Sequence, residues 1–142
     1  IDDKGRVNVP QRFRDIIRAG DDNRVLITNS RLDGVTCLDA YLPEEWAKFE
    51  ERVAERKDPD SPIARFYLNY YLPGVTECQI DGQGRILLPP RLRDHAQLER
   101  EAIFFGVVNM FRIFNRDAHR TVSGKGEQIL IDNPGIVPGF GI

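Results

Sequence analysis

The chain carries one fifteen-residue stretch twice. IDDKGRVNVPQRFRD occupies residues 1–15, and IDGQGRILLPPRLRD occupies residues 80–94, which is 79 positions later. Eight of the fifteen aligned residues are identical, and three more exchange one apolar side chain for another. An internal repeat this dense predicts two equivalent structural units, neither of which buries its apolar face alone.

Both copies begin with the residues of a tight turn. Asp2 favours the first position of a turn, and Gly5 supplies the positive φ that a hairpin turn followed by a bulge requires. Asp81 and Gly84 hold the same positions in the second copy. We therefore predict that these four residues shape two equivalent turns, with the two aspartates accepting backbone N–H bonds or pairing with the following arginine.

A strand and a helix follow each turn. Polar and apolar residues alternate from residue 6 to residue 9, which places Val7 and Val9 on one face of a strand. Pro10 suits the first turn of a helix, where its missing N–H costs nothing. That helix should bury a stripe at i, i+3 and i+4. The corresponding strand in the second copy of the repeat should bury the apolar residues equivalent to those of the first strand. The predicted core residues are Val7, Val9, Phe13, Ile16, Ile17, Ile86 and Leu88.

The remaining elements follow the same alternation of hairpins and helices. An Asp-Gly signal closes the loop between two β-rich runs, and Pro43 opens an acidic helix whose buried stripe would be Trp46, Phe49 and Val53. The sequence predicts strands at 24–28, 35–38, 75–80, 86–88, 102–105 and 110–114, and a loop at 29–34. It predicts helices at 10–19, 43–55, 62–72 and 89–97, and a short one from 116.

This order predicts an α+β fold with two tandem units. Residues 1–72 form the first repeat with its connecting helices, and residues 73–122 form the second repeat. Residues 123–142 contain five glycines and two prolines and are expected to be an irregular tail. Because the chain begins without methionine and within the first unit, we expect that further residues precede Ile1.

Charge is distributed unevenly along a chain whose net charge is only −2. Residues 4–18 contain five basic residues and one acid, whereas residues 39–60 contain eight acids and four bases. The near-neutral total argues against indiscriminate binding of polyanions. The opposed poles indicate that one face meets an anion and another meets solvent or a neighbour.

Catalysis and metal binding find little support. The chain has no P-loop, no G-x-G-x-x-G motif and no nucleophile in a recognisable turn, and His95 and His119 have no ligands at useful spacing. Cys37 and Cys78 are isolated, which favours two buried reduced thiols in a cytosolic protein over a disulfide or metal site. An enzyme built on paired carboxylates is the least favoured reading. We predict no enzyme activity, no cofactor, no metal and no membrane association.

Four aromatic residues, Phe66, Tyr67, Tyr70 and Tyr71, lie at helical spacing. They could stack on nucleic-acid bases or pack inside the protein. Helical spacing favours a packed face.

The basic residues of the repeat are the best candidates for a binding site. Guanidinium forks match phosphate oxygens and guanine edges, and glycine-fixed turns would present them rigidly. A duplicated basic turn suits a ligand that itself repeats, such as double-stranded DNA. The turn residues rank above those of the helices, which can also pair with nearby acids. The candidate DNA-binding residues are Lys4, Arg6, Arg12, Arg14, Arg85, Arg91 and Arg93.

The paired D-x-x-x-R turns, Asp2 to Arg6 and Asp81 to Arg85, each followed by a strand, a proline and an R-x-R helix, resemble the MraZ family. That family belongs to the AbrB/MazE-like swapped-hairpin superfamily. The resemblance extends from Ile1 to about Thr121 and includes LPGVTEC before the second copy. It implies two SpoVT/AbrB-like β-hairpin–helix repeats, interleaved about a pseudo-twofold axis.

The resemblance also implies a function. Members of the family are bacterial transcriptional regulators associated with the division and cell-wall gene cluster. They form ring-shaped homo-oligomers and bind short tandem repeats in the promoter of that cluster. It implies that the chain is a cytoplasmic, nucleoid-associated repressor. The second turn has Gln83 where the first has Lys4, so the first turn is expected to contact DNA more. The alternative is a ring-forming adaptor that binds a protein partner in cell division or cell-wall control.

Overall fold

The computed structural model describes residues 1–20 and 22–135 and shows an α+β protein with antiparallel sheets. Its elements follow the predicted order. The strands are β1 (Arg6–Asn8), β2 (Arg24–Leu32), β3 (Val35–Tyr41), β4 (Thr76–Gln79), β5 (Arg85–Leu87), β6 (Ile103–Val107) and β7 (Met110–Phe114). The helices are α1 (Gln11–Ala19), α2 (Pro43–Ala54), α3 (Pro62–Phe66), α4 (Pro90–His95) and α5 (Arg116–Asp132), with a π-helical turn, Tyr67–Tyr71, directly after α3.

Two sheets join the two copies of the repeat. A five-stranded sheet has the order β4-β2-β3-β7-β6, so β2 and β3 of the first unit lie between β4 and β7 of the second. The second sheet contains only β1 and β5, the strands that follow the two turns. Strands β4 and β5, which flank the second turn, share a single bridge between Ile80 and Ile86 and otherwise pair with other strands.

One apolar core receives side chains from both copies. Val7, Val9, Ile86 and Leu88 are at most 2% exposed, so the prediction that they form a shared core is confirmed. Ile16 is half exposed, however, so its predicted burial is wrong. Helix α1 faces the core with the neighbouring positions Phe13 and Ile17, which leaves Ile16 at the edge of the contact.

The aromatic residues after Pro62 pack inside the protein, as predicted. Tyr71 is buried against Tyr41 and Trp46, and Phe66 and Tyr67 pack on this cluster. The predicted helix at 62–72 therefore exists as α3 plus the π-helical turn, whose wider winding ends before Pro73.

The predicted loop at 29–34 is wrong. Strand β2 continues to Leu32, and only Asp33 and Gly34 form the turn, both with positive φ. Asn29 and Ser30 look like loop residues in the sequence, but both are buried and find partners there. The Asn29 amide, for example, donates to the carbonyl oxygen of Tyr70. Hydrogen bonds across the fold thus satisfy polar groups that local pattern assigns to a loop.

Helix α5 extends well into the predicted tail. It runs to Asp132, so the expectation of an irregular segment is wrong for residues 123–132, while residues 136–142 lie outside the described part of the chain. Only Ala118 of this helix is buried. The Asn115 side chain caps its first turn by accepting from the Ala118 N–H, and the helix then continues with few tertiary contacts.

Both cysteines are buried and unpaired, which confirms the predicted free thiols. Burial raises the pKa of Cys37 to about 12 and that of Cys78 to about 11. Both thiols are therefore protonated at neutral pH. Among the helices of residues 1–20 and 22–135, none has the length and apolar character to cross a bilayer.

Candidate nucleic-acid interface

The two turns are built by the same hydrogen bonds. Asp2 Oδ1 accepts from the backbone N–H of Lys4 at 3.0 Å and of Arg6 at 2.9 Å. Asp81 Oδ1 accepts from the N–H groups of Gln83 and Arg85, both at 2.9 Å. Each carboxylate therefore satisfies two N–H groups that the turn leaves free, as the sequence predicts.

Each aspartate also holds the arginine that ends its turn. Arg6 Nε lies 2.6 Å from Asp2 Oδ2, and Arg85 Nε lies 3.0 Å from Asp81 Oδ2. Arg85 Nη1 lies 3.9 Å from Asp2 Oδ2, which shows that the two turns are neighbours. About a third of the Arg6 side chain and a quarter of the Arg85 side chain are exposed, so both guanidinium groups can still reach a ligand.

Strands β1 and β5 place the turns side by side. Val7 pairs with Ile86, its equivalent in the other copy. Exchanging the two copies also converts the residue pair on one side of this pair into the pair on the other side. Beyond the strands, Val9 N–H donates to the Gly84 oxygen at 3.0 Å, and Leu88 N–H donates to the Gly5 oxygen at 3.1 Å. The backbone of each copy is thus bonded to the turn of the other.

Arg14 and Arg93 pack against the turn of the opposite copy. Arg14 Nε donates to the Val9 oxygen and Arg93 Nε to the Leu88 oxygen, and both side chains are half-buried. A Cβ at Gly5 would come within 2.6 Å of the Arg93 guanidinium carbon, and one at Gly84 would overlap the guanidinium of Arg14. These two predicted DNA ligands therefore lie against the turn glycines, where they fix the turns.

The equivalent residues Arg12 and Arg91 have different surroundings. Arg91 donates to Asn29 Oδ1 at 2.9 Å and to the Gly74 oxygen at 2.7 Å, so its guanidinium joins two segments of the fold. Arg12 is exposed and lies over the ring of Phe13, 4.7 Å from the ring centre. Of this pair, the structure leaves Arg12 more available to an outside ligand.

Lys4 is a predicted residue whose charged group is free of contacts within the described part of the chain. It is exposed, and its ammonium group has no hydrogen bond or ion pair with the described residues. Gln83, at the equivalent position, is exposed as well but carries no charge. At this position the two turns therefore differ in charge and not in access.

Arg18 is a further basic residue near the turns, and it is not among the DNA ligands predicted from the sequence. Its Nη2 lies 3.4 Å from the carbonyl oxygen of Asp81, so the end of α1 reaches the second turn. Its equivalent in the second copy, Gln97, is uncharged. Its place one helical turn after Arg14 was the signal that could have identified it.

The Asp2 carboxyl should titrate at unusually low pH. The Arg6 N–H bond, with further hydrogen bonds from the Arg6 side chain and the Lys4 N–H, lowers its pKa from 3.8 to about 2. Because the folded-state pKa is depressed, the stabilising contribution of this group is present above pH 3.8 and is lost as the pH falls through about 2. An NMR titration of the Asp2 side-chain carbon should show this low midpoint, and Arg6→Ala should raise it. A wild-type midpoint near 3.8 would contradict these contacts.

No group of three His, Cys, Asp or Glu side chains able to hold a metal occurs within residues 1–20 and 22–135. His95 Nε2 instead lies 2.9 Å from the Ser30 oxygen and 3.1 Å from the Tyr70 hydroxyl. This histidine connects α4 to β2 and to the π-helical turn.

Comparison with known proteins agrees with these features. The model of the family described as "MraZ protein, putative antitoxin-like" matches residues 72–131, which include the whole second turn. A protein of Desulforapulum autotrophicum is 42% identical over 117 residues, covering 82% of this chain and 75% of its own. A protein of Thioalkalivibrio sulfidiphilus is 41% identical over 118 residues, with 82% and 75% covered.

A third relative, from Syntrophobacter fumaroxidans, is 37% identical over 122 residues, covering 84% of this chain and 78% of its own. All three are named "Transcriptional regulator MraZ". Each match extends over most of both chains and is about twice as long as the segment that the family model matches. The chain therefore belongs to the MraZ family.

Proposed function

We propose that this protein is a transcriptional regulator that binds double-stranded DNA in a sequence-specific manner through its two turns. The observation that carries the proposal is the placement of two glycine-fixed basic turns next to each other, with Lys4 unpaired at the surface. A role in transcription regulation is supported by the name of the relatives. No catalytic role is proposed for Asp2 or Asp81, since both carboxylates are used by their own turns.

Contact with DNA is assigned mainly to the first turn. Lys4 and Arg6 would contact phosphates and base edges in the major groove, where lysine and arginine both recognise guanine acceptors. Arg12 and Arg18 extend the basic surface along α1, while Arg85 supports it from the second turn. Arg14, Arg91 and Arg93 hold the turns and helices in place and contribute to binding through that geometry.

The two repeats would correspond to SpoVT/AbrB-like units interleaved about a pseudo-twofold axis. Support comes from the pairing of Val7 with its own equivalent, Ile86, and from the matched bonds of Val9 to Gly84 and of Leu88 to Gly5. A twofold arrangement would present both turns on one surface. Such a surface suits duplex DNA, whose backbone repeats along its length.

At the level of the assembly, we propose a ring-shaped homo-oligomer that represses the division and cell-wall gene cluster by binding short tandem repeats in its promoter. The proposal rests on family membership. Under this proposal, the protein acts in the cytoplasm, at the nucleoid. A single turn would bind weakly, but several linked turns raise avidity by about 10²–10⁴ when their spacing matches the repeats.

Footprinting and salt titration test this function on the unaltered protein. We expect periodic protection of short boxes in the DNA upstream of its own gene, with loss of protection when the boxes are scrambled. The logarithm of affinity should fall linearly with the logarithm of salt concentration, with a slope of about −0.9 for each phosphate contacted. Uniform cleavage along the DNA together with a flat salt dependence would refute the proposal.

A further inference from the structure

A cavity of about 390 Å³ lies away from the turns. It is enclosed by α2, by α3 with the π-helical turn that follows it, and by strands β2, β3 and β7. We propose that this cavity binds a small organic anion with a flat apolar body, of which an aromatic carboxylate is the simplest example. None of the turn residues lines it, so the proposal is independent of the DNA site.

Five of the residues that line the cavity are aromatic. Phe49, Phe66 and Tyr67 are half-buried, with ring centres of Phe49 and Tyr67 5.2 Å apart and those of Phe66 and Tyr67 5.1 Å apart. Part of each of these three side chains is exposed, and a further flat ring can pack on that surface. Tyr67 begins the π-helical turn, and turns of this kind occur frequently at functional sites.

The one carboxylate of the cavity is not available to a ligand. Asp39 is 2% exposed, and its two oxygens accept from Arg112 Nε at 3.1 Å and from the Tyr71 hydroxyl at 2.6 Å. The Tyr41 hydroxyl lies 2.7 Å from that of Tyr71 and completes the network. Because both oxygens of Asp39 are occupied below the surface, the cavity does not select a cation.

The free donors are guanidinium groups. Arg112 uses only Nε for Asp39, and its terminal nitrogens make no hydrogen bond with the described part of the chain. Arg31 and Arg52 line the same cavity, also without hydrogen-bond partners among residues 1–20 and 22–135, and Arg52 lies 5.8 Å from the ring centre of Phe49. Three arginines around aromatic walls suit an anion attached to a ring.

The size of the cavity agrees with this assignment. Small-molecule sites usually have volumes of about 300–1,000 Å³ and combine apolar walls with a few convergent polar groups. At about 390 Å³ the cavity suits a compact bicyclic acid and is near the lower end of that range.

Calorimetric titration of the whole protein with three probes tests the proposal. The probes are 2-naphthoate, 2-naphthamide, which has the same body without charge, and acetate, which has the charge without the body. We expect 2-naphthoate to bind at one site per chain with a Kd below about 1 mM, and the other two to bind at least about tenfold more weakly.

Two variants locate the site. The double variant Arg31→Gln/Arg52→Gln changes exposed side chains only and should weaken 2-naphthoate at least about tenfold. Arg65→Gln, an exposed arginine on α3 that does not line the cavity, should have no effect. The proposal is overturned if 2-naphthoate does not bind, if the amide binds equally well, or if the double variant binds like wild type. If wild type forms an oligomer that binds no 2-naphthoate, and the double variant dissociates that oligomer, the proposal is also overturned. The cavity would then be a contact between subunits.

Discussion

The double variant Lys4→Gln/Arg6→Gln should bind tandem-repeat DNA at least about thirtyfold more weakly than the unaltered protein. A lysine or arginine contact to a base edge contributes about 1–3 kcal/mol, and two are removed. The fold should persist, because the Lys4 ammonium contacts no described residue and the Arg6–Asp2 ion pair is exposed. Electrophoretic mobility shifts measure the affinity, and circular dichroism with a thermal melt checks the fold.

Arg85→Gln is the matched control for this variant. The second turn already carries Gln83, so this single change gives it the same two side chains as the altered first turn. We expect a loss of affinity of less than about tenfold, because only one cation is removed and less of its side chain is exposed than of Arg6. An equal loss in both variants would show that the turns contact DNA equally. Wild-type affinity in both would exclude the turns as the DNA site.

The turns could be predicted from sequence because their chemistry is local. Asp2 and Asp81 bond N–H groups two and four residues later, and Gly5 and Gly84 have the positive φ that the pattern requires. Local hydrogen bonds and backbone preference follow directly from residue type. The same holds for the alternation that buries Val7.

Strand partners and arginine roles could not be predicted in this way. Alternation identifies a strand but says nothing about its neighbour, and β4 pairs with β2 instead of completing a hairpin with β5. The two R-x-R motifs are equivalent in sequence, yet Arg91 is bonded to Asn29 while Arg12 is exposed. That difference arises from the long β2 strand, whose polar residues the local pattern assigned to a loop.

Gly84→Ala should lower the free energy of unfolding by about 2–5 kcal/mol, which tests the role of Arg14. A left-handed conformation costs a non-glycine residue about 1–2 kcal/mol, and overpacking adds about 1–3 kcal/mol. Gly84 has φ +78°, and a methyl group there would overlap the guanidinium of Arg14. Gly34→Ala is the matched control, since φ is +82° and nothing lies within 4 Å of the added atom. Urea denaturation should give only the conformational cost, about 1–2 kcal/mol, for this second change.

The double variant Gly84→Ala/Arg14→Ala separates the two causes. With the guanidinium removed, the added methyl group has space, so the double variant should be less destabilised than the sum of the single variants. Strict additivity would mean that Arg14 does not pack on Gly84.

The DNA affinity of Arg14→Ala then shows whether Arg14 supports the second turn or contacts DNA directly. If Arg14 holds the second turn, affinity and stability should fall together, whereas a loss of affinity at wild-type stability would make Arg14 a direct DNA ligand.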